Sequence, residues 1–355
     1  MEKHLTIRRK EIVRMMIYDK IKFILAAISG RKRQRYFLPV LLLAVALSGC
    51  GKAYERPFDV DASILRMNSV NTTLTGGDAR AKGFSEGLAI PGSTNFNTDD
   101  ITAEAGLLIA VGDDSSEPLA FKNPYVKTYP ASITKVMTAL VCLRNVKDLQ
   151  QEFTVTDSSN IKVSGSSSAF IHPGETLTVE DLLYGMLMPS GNDAAVAVAE
   201  ATAGSVDSFV KLMNETAMEI GATGSHFVNA NGLPDEQHYM TPYDIYLVMN
   251  EALKYDEFRK IISASTYSPQ YKDANGIAKT QVWKSSDHYI TGEAQAPGGI
   301  RVLGGKTGTT KAAGYCLTIA SEKIDTKKQY ISVIMKGASK DDLYVNMTNM
   351  LLKIH

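Results

Sequence analysis

The chain has 355 residues, 44% apolar and 21% charged. That is the composition of a globular protein with a real core, and it argues against a disordered or low-complexity chain. Its 38 basic and 38 acidic residues balance, but residues 1–49 carry 11 Lys and Arg against 3 Asp and Glu, and the remainder carries 27 against 35. The folded part is therefore acidic and would repel phosphate, which argues against a nucleic-acid partner.

In chain order, a basic cluster, Arg31-Lys32-Arg33-Gln34-Arg35, precedes the apolar run Tyr36 to Leu47 and then Leu47-Ser48-Gly49-Cys50. A positive n-region, a short apolar h-region and small residues before a cut site predict a secretory signal over residues 1–49. The run is shorter than the roughly 20 residues that a transmembrane helix needs. Leu-Ser-Gly-Cys also resembles the bacterial lipobox. That resemblance implies that Cys50 becomes the lipidated first residue of a mature protein held on the extracytoplasmic face of the cell membrane. The stretch before the basic cluster is long for an n-region, which points to a translation start at Met15 or Met16.

Residues 50–101 show little periodicity and several Gly, Pro, Asn and Thr clusters, and they read as the lipidated N-terminus and a linker. The globular pattern covers residues 102–355. Ala105–Val111 predicts a strand, followed by a turn at Gly112-Asp113-Asp114 and a short partner strand near Leu119–Phe121. Helices are predicted over Ile133–Leu143, over Val179–Leu187 with Thr178 as N-cap and Pro189 as stop, over Ser205–Ile220 with Gly221 as C-cap, and from Thr241-Pro242 onward. Strands return at Ile300–Leu303, Tyr315–Ser321 and Tyr330–Met335, and a closing helix runs through Leu343, Met347, Met350, Leu351 and Ile354. Strands, many helices, strands and a helix predict an α+β fold, layered α/β/α. In it, the two ends of the domain share an antiparallel sheet flanked by helices, with a helical subdomain between them. Cys142 falls in a helical pattern and Cys316 in a strand pattern, which favours two buried free thiols over a disulfide.

Three short motifs carry chemistry. In Pro130-Ala131-Ser132-Ile133-Thr134-Lys135, Ser132 and Lys135 share one helix face. A serine hydroxyl needs a base to become a nucleophile, and a lysine is one when burial and neighbouring cations leave it neutral. In Ser190-Gly191-Asn192 a hydroxyl and a carboxamide are suited to relay a proton and hold a substrate amide. In Lys306-Thr307-Gly308-Thr309, on an edge strand, the backbone would pair with an extended peptide. Lys306 and the Thr hydroxyls would grip a carboxylate, and Gly308 would leave room for the substrate. Gly305-Lys306-Thr307 also mimics the end of a phosphate loop, but that motif requires Gly where Ile300 stands and a strand-loop-helix context. Each motif alone is weakly specific. Their order, at spacings of 58 and 116 residues, is not.

With Tyr129–Thr138, Met188–Ala194, Asn229–Leu233 and Gly304–Thr310, the set resembles the penicillin-binding proteins and β-lactamases, and among them the low-molecular-mass D-alanyl-D-alanine carboxypeptidases, peptidase family S11. The resemblance implies a β-lactamase/transpeptidase-like fold and a peptidoglycan stem peptide ending in D-Ala-D-Ala as substrate, with β-lactams as inhibitors. It implies Ser132 as acyl-ester nucleophile, Lys135 as general base and Ser190 as proton shuttle. Asn192, Lys306, Thr307, Gly308 and Thr309 would bind substrate. The backbone N–H groups of Ser132 and Thr309 would form an oxyanion hole. No metal or organic cofactor is expected. Many members of that group add an all-β domain and a C-terminal membrane helix. With the chain stopping at His355, anchoring is expected from Cys50 instead.

Rival readings share some of these features. A cross-linking transpeptidase or endopeptidase has all three motifs and differs only in the acyl acceptor. A class A β-lactamase needs a deacylating Glu in a context that Glu200, Glu215, Glu219, Glu236, Glu251, Glu257 and Glu293 lack. A non-catalytic wall-binding protein would not need all three motifs intact. A zinc peptidase would need a ligand set, and Glu236 with His238 is too isolated a pair to supply one.

Overall fold

Two regions of the chain, one near residue 105 and one beyond residue 300, hold apolar runs too continuous for a strand with one wet face. They pair with each other in the structure, a computed structural model that describes residues 98–112 and 116–355. The predicted signal segment, Cys50 and most of the linker lie outside the described residues, as do Asp113 and Asp114 of the first predicted turn.

Strand β1 is Ala105–Val111 and β2 is Glu117–Lys122. A 3₁₀ turn, Ala131–Ile133, leads into helix α1, Thr134–Asn145. Every residue of α1 from Thr134 to Leu143 is buried, so this helix runs through the middle of the molecule without a solvent face. Strands β3 (Glu152–Thr154) and β4 (Thr176–Thr178) precede α2, Val179–Leu187. Thr178 caps α2 as predicted: its side chain accepts from the Asp181 N–H, and the Asp181 carboxylate accepts from the Thr178 N–H, a capping box. Helices α3 (Asn192–Ala203), α4 (Val206–Glu219), α5 (Pro242–Ala252, capped by Thr241) and α6 (Asp256–Ser263) follow. Then come short strands β5 (Thr266–Tyr267), β6 (Gln270–Lys272), β7 (Ala278–Thr280) and β8 (Trp283–Lys284), and the one-turn helix α7, His288–Thr291. Three long strands, β9 (Ile300–Thr310), β10 (Gly314–Lys323) and β11 (Gln329–Gly337), and helix α8 (Lys340–Leu351) complete the domain.

The main sheet has the order β2-β1-β11-β10-β9, antiparallel throughout, so the first and last predicted strand regions do share it. Its central strands are covered on both faces. Leu107, Ile109, Ile331, Val333 and Cys316 face α1 and the helical layer, while Leu108, Ala110, Ile334, Leu317 and Ile319 face Leu343, Met347, Met350 and Leu351 of α8. Helices α2, α3, α4 and α5 pack around α1, and β3, β4, β6 and β7 form a small second sheet. The α+β, α/β/α arrangement is the predicted one. The fold leaves β9 as an edge strand, with its free side against the 3₁₀ turn that carries Ser132. Cys142 and Cys316 are both buried and unpaired, and burial pushes the Cys142 thiol up to about 11.

Candidate active site

The nucleophile motif starts with strain. Ala131, a residue with a Cβ, sits at φ +49°, in the left-handed region that L side chains rarely adopt. The turn it starts presents Ser132, half-buried, at the mouth of α1, and Lys135 one helical turn on is fully buried. Lys135 Nζ lies 2.8 Å from Ser132 Oγ, 2.7 Å from Asn192 Oδ1 and 2.7 Å from the Asn231 carbonyl oxygen. A neutral amine has two N–H groups and one lone pair. Asn192 Oδ1 and the Asn231 carbonyl can only accept, so they take both N–H groups, and the lone pair is left facing the Ser132 hydroxyl. Burial holds the Lys135 ammonium well below its ordinary range, and the nearby charge of Lys306 lowers it further, against an opposing pull from Asp193. The two residues that share a helix face in sequence thus form a hydroxyl–amine pair with the amine poised to take the proton.

Ser190-Gly191-Asn192 closes the second side. Ser190 is buried and also strained, at φ +65°. Asn192 opens α3 and turns its carboxamide oxygen toward Lys135. The turn is held by the segment before it: the Asn192 N–H donates to the Ser167 carbonyl, and Asp193 accepts from the N–H groups of Ala169 and Ile171 and from Ser168 Oγ. Asp193 therefore does not cap α3, whose N-cap is Gly191; it ties residues 168–171 to the helix. A Cβ on Gly191 would stand 2.7 Å from the Ala169 N, so this approach requires glycine.

On β9, Lys306 is buried, and its Nζ donates to Ser190 Oγ at 3.0 Å and to the Thr307 carbonyl at 2.9 Å. Burial brings Lys306 down to about 7, against the opposing charge of Asp287. Thr307 Oγ1 is 2.7 Å from Ser286 Oγ, and Thr309 is exposed on the free edge. Gly308 has a further reason to be glycine beyond access for a substrate. A Cβ there would sit 2.8 Å from the Pro130 carbonyl oxygen and 3.1 Å from the Ser132 N, so its bareness lets β9 pack against the nucleophile turn. Two hydrogen-bonded groups meet here, Ser132–Lys135–Asn192 and Lys306–Ser190, close enough for the charge of Lys306 to act on Lys135, with Thr307, Gly308 and Thr309 lining the adjoining edge. The arrangement can deprotonate a hydroxyl, hold a second hydroxyl against a cation, and offer an open strand edge and an ammonium to a peptide with a terminal carboxylate.

Four residues outside the three motifs contribute: Asn231 through its carbonyl, His238 through its contact with Thr134, and Ser286 and Asp287 behind β9. The stretch Asn229–Leu233 was legible in sequence only as part of the resemblance. Its chemistry runs through a backbone carbonyl, which no side-chain pattern reveals. His238 and Glu236, weighed above as a metal pair, part company: the histidine is buried and the glutamate exposed. Among the described residues, no carboxylate hydrogen-bonds Ser132, Lys135, Ser190, Asn192 or Lys306.

A family model for D-alanyl-D-alanine carboxypeptidase matches residues 93–339. The chain is 32% identical over 256 residues to the D-alanyl-D-alanine carboxypeptidase DacF of Bacillus subtilis, an alignment covering 72% of this chain and 63% of that protein. The chain thus spans less than two thirds of that relative's length. Among solved structures it is similar to the Streptomyces K15 DD-transpeptidase, at 27% identity and a TM-score of 0.65, covering 71% of this chain and 97% of that one. It is also similar to penicillin binding protein 6B of Escherichia coli, at 27% identity and a TM-score of 0.62, covering 76% and 81%.

Proposed function

This chain belongs to the D-alanyl-D-alanine carboxypeptidase family, and from that premise we propose that it is a serine peptidase removing the terminal D-Ala from peptidoglycan stem peptides. The observation that carries the reading is the buried Lys135 Nζ, 2.8 Å from Ser132 Oγ, with two oxygens that can only accept, Asn192 Oδ1 and the Asn231 carbonyl, as its other partners. In the proposed reaction Lys135 takes the Ser132 proton as Oγ attacks the carbonyl of the penultimate D-Ala. The oxyanion is met by the backbone N–H groups of Ser132 and Thr309, a contribution of about 3–4 kcal/mol per donor. Ser190 passes a proton to the departing D-Ala nitrogen. Lys306, Thr307 and Thr309 hold the substrate carboxylate on the β9 edge, and Asn192, anchored to Lys135, orients the peptide. Water then hydrolyses the acyl-enzyme. β-Lactams, which carry a carboxylate beside a strained amide, would acylate the same serine.

The cellular setting belongs to the same proposal. Cleavage before Cys50 and its lipidation would hold the domain on the extracytoplasmic face of the membrane, where peptidoglycan lies.

The test is one chain with two substrates: labelled penicillin, and a peptide ending in D-Ala-D-Ala. The wild type is expected to bind penicillin covalently and to release D-Ala, and Ser132→Ala is expected to do neither. Acylation of the Ser132→Ala protein would sink the mechanism. A second reading, transfer of the acyl group to an amine, draws support from the likeness to a DD-transpeptidase. Adding an acceptor amine separates the two, because a transpeptidase diverts product from the hydrolysed to the cross-linked peptide.

A further inference from the structure

His238 stands outside the three motifs, yet it is 1% exposed and lies against the first turn of α1. Its two ring nitrogens have different partners. Nδ1 receives the Val228 backbone N–H at 3.2 Å. A backbone N–H only donates, so Nδ1 carries the lone pair, and in the neutral ring the proton sits on Nε2. Nε2 is 2.8 Å from Thr134 Oγ1, so the imidazole donates to that hydroxyl. Burial brings His238 down to about 4, which keeps the ring neutral. Of the charged groups around it, Asp235 on its own loop opposes that shift and His226 adds to it; Phe227 meets the ring edge-on at 5.6 Å, and α1 presents the Thr134 hydroxyl.

The imidazole joins two segments that matter to Lys135. Thr134 is the residue between the nucleophile turn and Lys135. Val228 leads into Asn229–Leu233, where Asn229 Oδ1 accepts from the N–H groups of Asn231 and Gly232 and Asn229 Nδ2 donates to the Leu233 carbonyl. That turn sends two carbonyls into α1: Ala230 O accepts from Thr138 Oγ1 at 2.7 Å, and Asn231 O accepts from Lys135 Nζ at 2.7 Å.

We infer that His238 is a positioning residue for Lys135, clamping the Asn229–Leu233 turn to the first turn of α1 and so fixing the Asn231 carbonyl that keeps the amine lone pair on Ser132. This rests on the reading of Lys135 as the base. Without the clamp the turn keeps its internal bonds and the Thr138–Ala230 bond but loses its tie to the first turn of α1, which frees the Asn231 carbonyl to shift and the amine to rotate its lone pair away from the hydroxyl.

Three variants and one spectrum test it. His238→Phe fills the same volume without hydrogen bonds, Thr134→Val removes the acceptor hydroxyl, and His238→Gln restores a donor near the Nε2 position. In stopped-flow acylation by a fluorescent penicillin, His238→Phe and Thr134→Val are each expected to lower the acylation rate constant about tenfold while the Kd of the preceding complex stays put. His238→Gln is expected to regain most of the rate. A wild-type rate constant in His238→Phe would overturn the inference, and so would a parallel loss of rate and affinity, which is what a loosened fold produces. Should His238→Phe fail to fold, a wild-type rate in Thr134→Val overturns it alone. A wild-type protein that leaves penicillin untouched would defeat the base reading separately; the clamp is then judged by long-range ¹H–¹⁵N NMR, where a ring protonated on Nδ1 defeats it and one protonated on Nε2 upholds it.

Discussion

Lys306 Nζ donates to Ser190 Oγ across 3.0 Å, joining a strand side chain to a turn 116 positions earlier. An ammonium has no lone pair, so the hydroxyl oxygen accepts and its own proton is free for the substrate. That polarity suits Ser190 to deliver a proton to the leaving nitrogen. Ser190→Ala is therefore expected to slow acylation about 10²- to 10³-fold, the usual size of a lost general acid. It is expected to do so for a β-lactam as well as for a D-Ala-D-Ala peptide, because both expel a nitrogen. Single-turnover acylation rates check this, and a wild-type rate would remove Ser190 from the proton path.

Two buried lysines in one site set the pH dependence. Lys135 must lose its proton to act as a base, and Lys306 must keep its proton to hold a carboxylate. Burial and the charge of Lys306 hold Lys135 well below its ordinary range, and burial brings Lys306 down to about 7. The proposed mechanism requires Lys135 to be the first of the two to give up its proton. Activity on a D-Ala-D-Ala peptide, measured as kcat/KM, is thus expected to rise with pH as Lys135 becomes neutral and to fall through about pH 7 as Lys306 does. A substrate whose terminal carboxylate is blocked has no use for the ammonium, and its falling limb should flatten. A falling limb identical for both substrates would assign it to a group other than Lys306.

Much of this site was legible because its side chains act in short, ordered motifs. Ser132, Lys135, Ser190, Asn192 and Lys306 converge as their sequence context predicts. The capping box at Thr178 and the helix start at Thr241-Pro242 are local chemistry, readable without the fold. What was hidden acts through space or through the backbone. Asn231 contributes a carbonyl that any residue has, and His238 meets Thr134 across 104 positions. Helix α3 escaped notice as a separate element because its Ala and Val residues are buried all round and show no periodicity. Strand β9 runs to Thr310, well past the predicted Leu303, because Gly304 and Gly305 interrupt the apolar pattern while serving the packing. A Cβ on Gly305 would stand 2.1 Å from the Thr318 carbonyl oxygen of β10.

Gly232 shows how tightly the turn that supplies the Asn231 carbonyl is pressed against the nucleophile turn. It sits at φ +85°, and a Cβ there would fall 1.9 Å from the Ala131 carbonyl oxygen, which belongs to the backbone and cannot swing away. Gly276 has a similar φ, +78°, with nothing within 4 Å. Gly276→Ala should therefore cost only the left-handed strain, about 1–2 kcal/mol. Gly232→Ala adds the collision, about 1–3 kcal/mol more. In thermal melts that difference amounts to a few degrees of extra loss in Tm for Gly232→Ala. Equal losses in the two variants would mean that the turns can part without cost, and the spacing around Lys135 would have to be set elsewhere.

Asp287 is the least expected group near the site. It is 1% exposed; Oδ1 accepts from the Tyr289 N–H at 3.0 Å, and Oδ2 has no hydrogen-bond partner among the described residues. Burial pushes it up to about 6, and the charge of Lys306 opposes that rise. The influence is mutual, since ionised Asp287 raises Lys306. Asp287→Asn removes that support, so Lys306 should lose its proton below pH 7 and the falling limb of kcat/KM should move toward acid, while at a pH low enough to protonate the Asp287 carboxyl the two proteins should behave alike. Stability should move the other way. A carboxyl whose folded pKa is raised holds its proton longer in the native state than in the unfolded chain, so it costs stability progressively as pH climbs from about 4 to about 6. The asparagine variant escapes that cost and should gain up to about 3 kcal/mol on the wild type between pH 4 and pH 7. Urea melts at the two pH values measure the gain, and pH–rate profiles of the same proteins measure the shift. If the falling limb stays where it is in the wild type, Asp287 is a burial accident and not the group that keeps Lys306 charged.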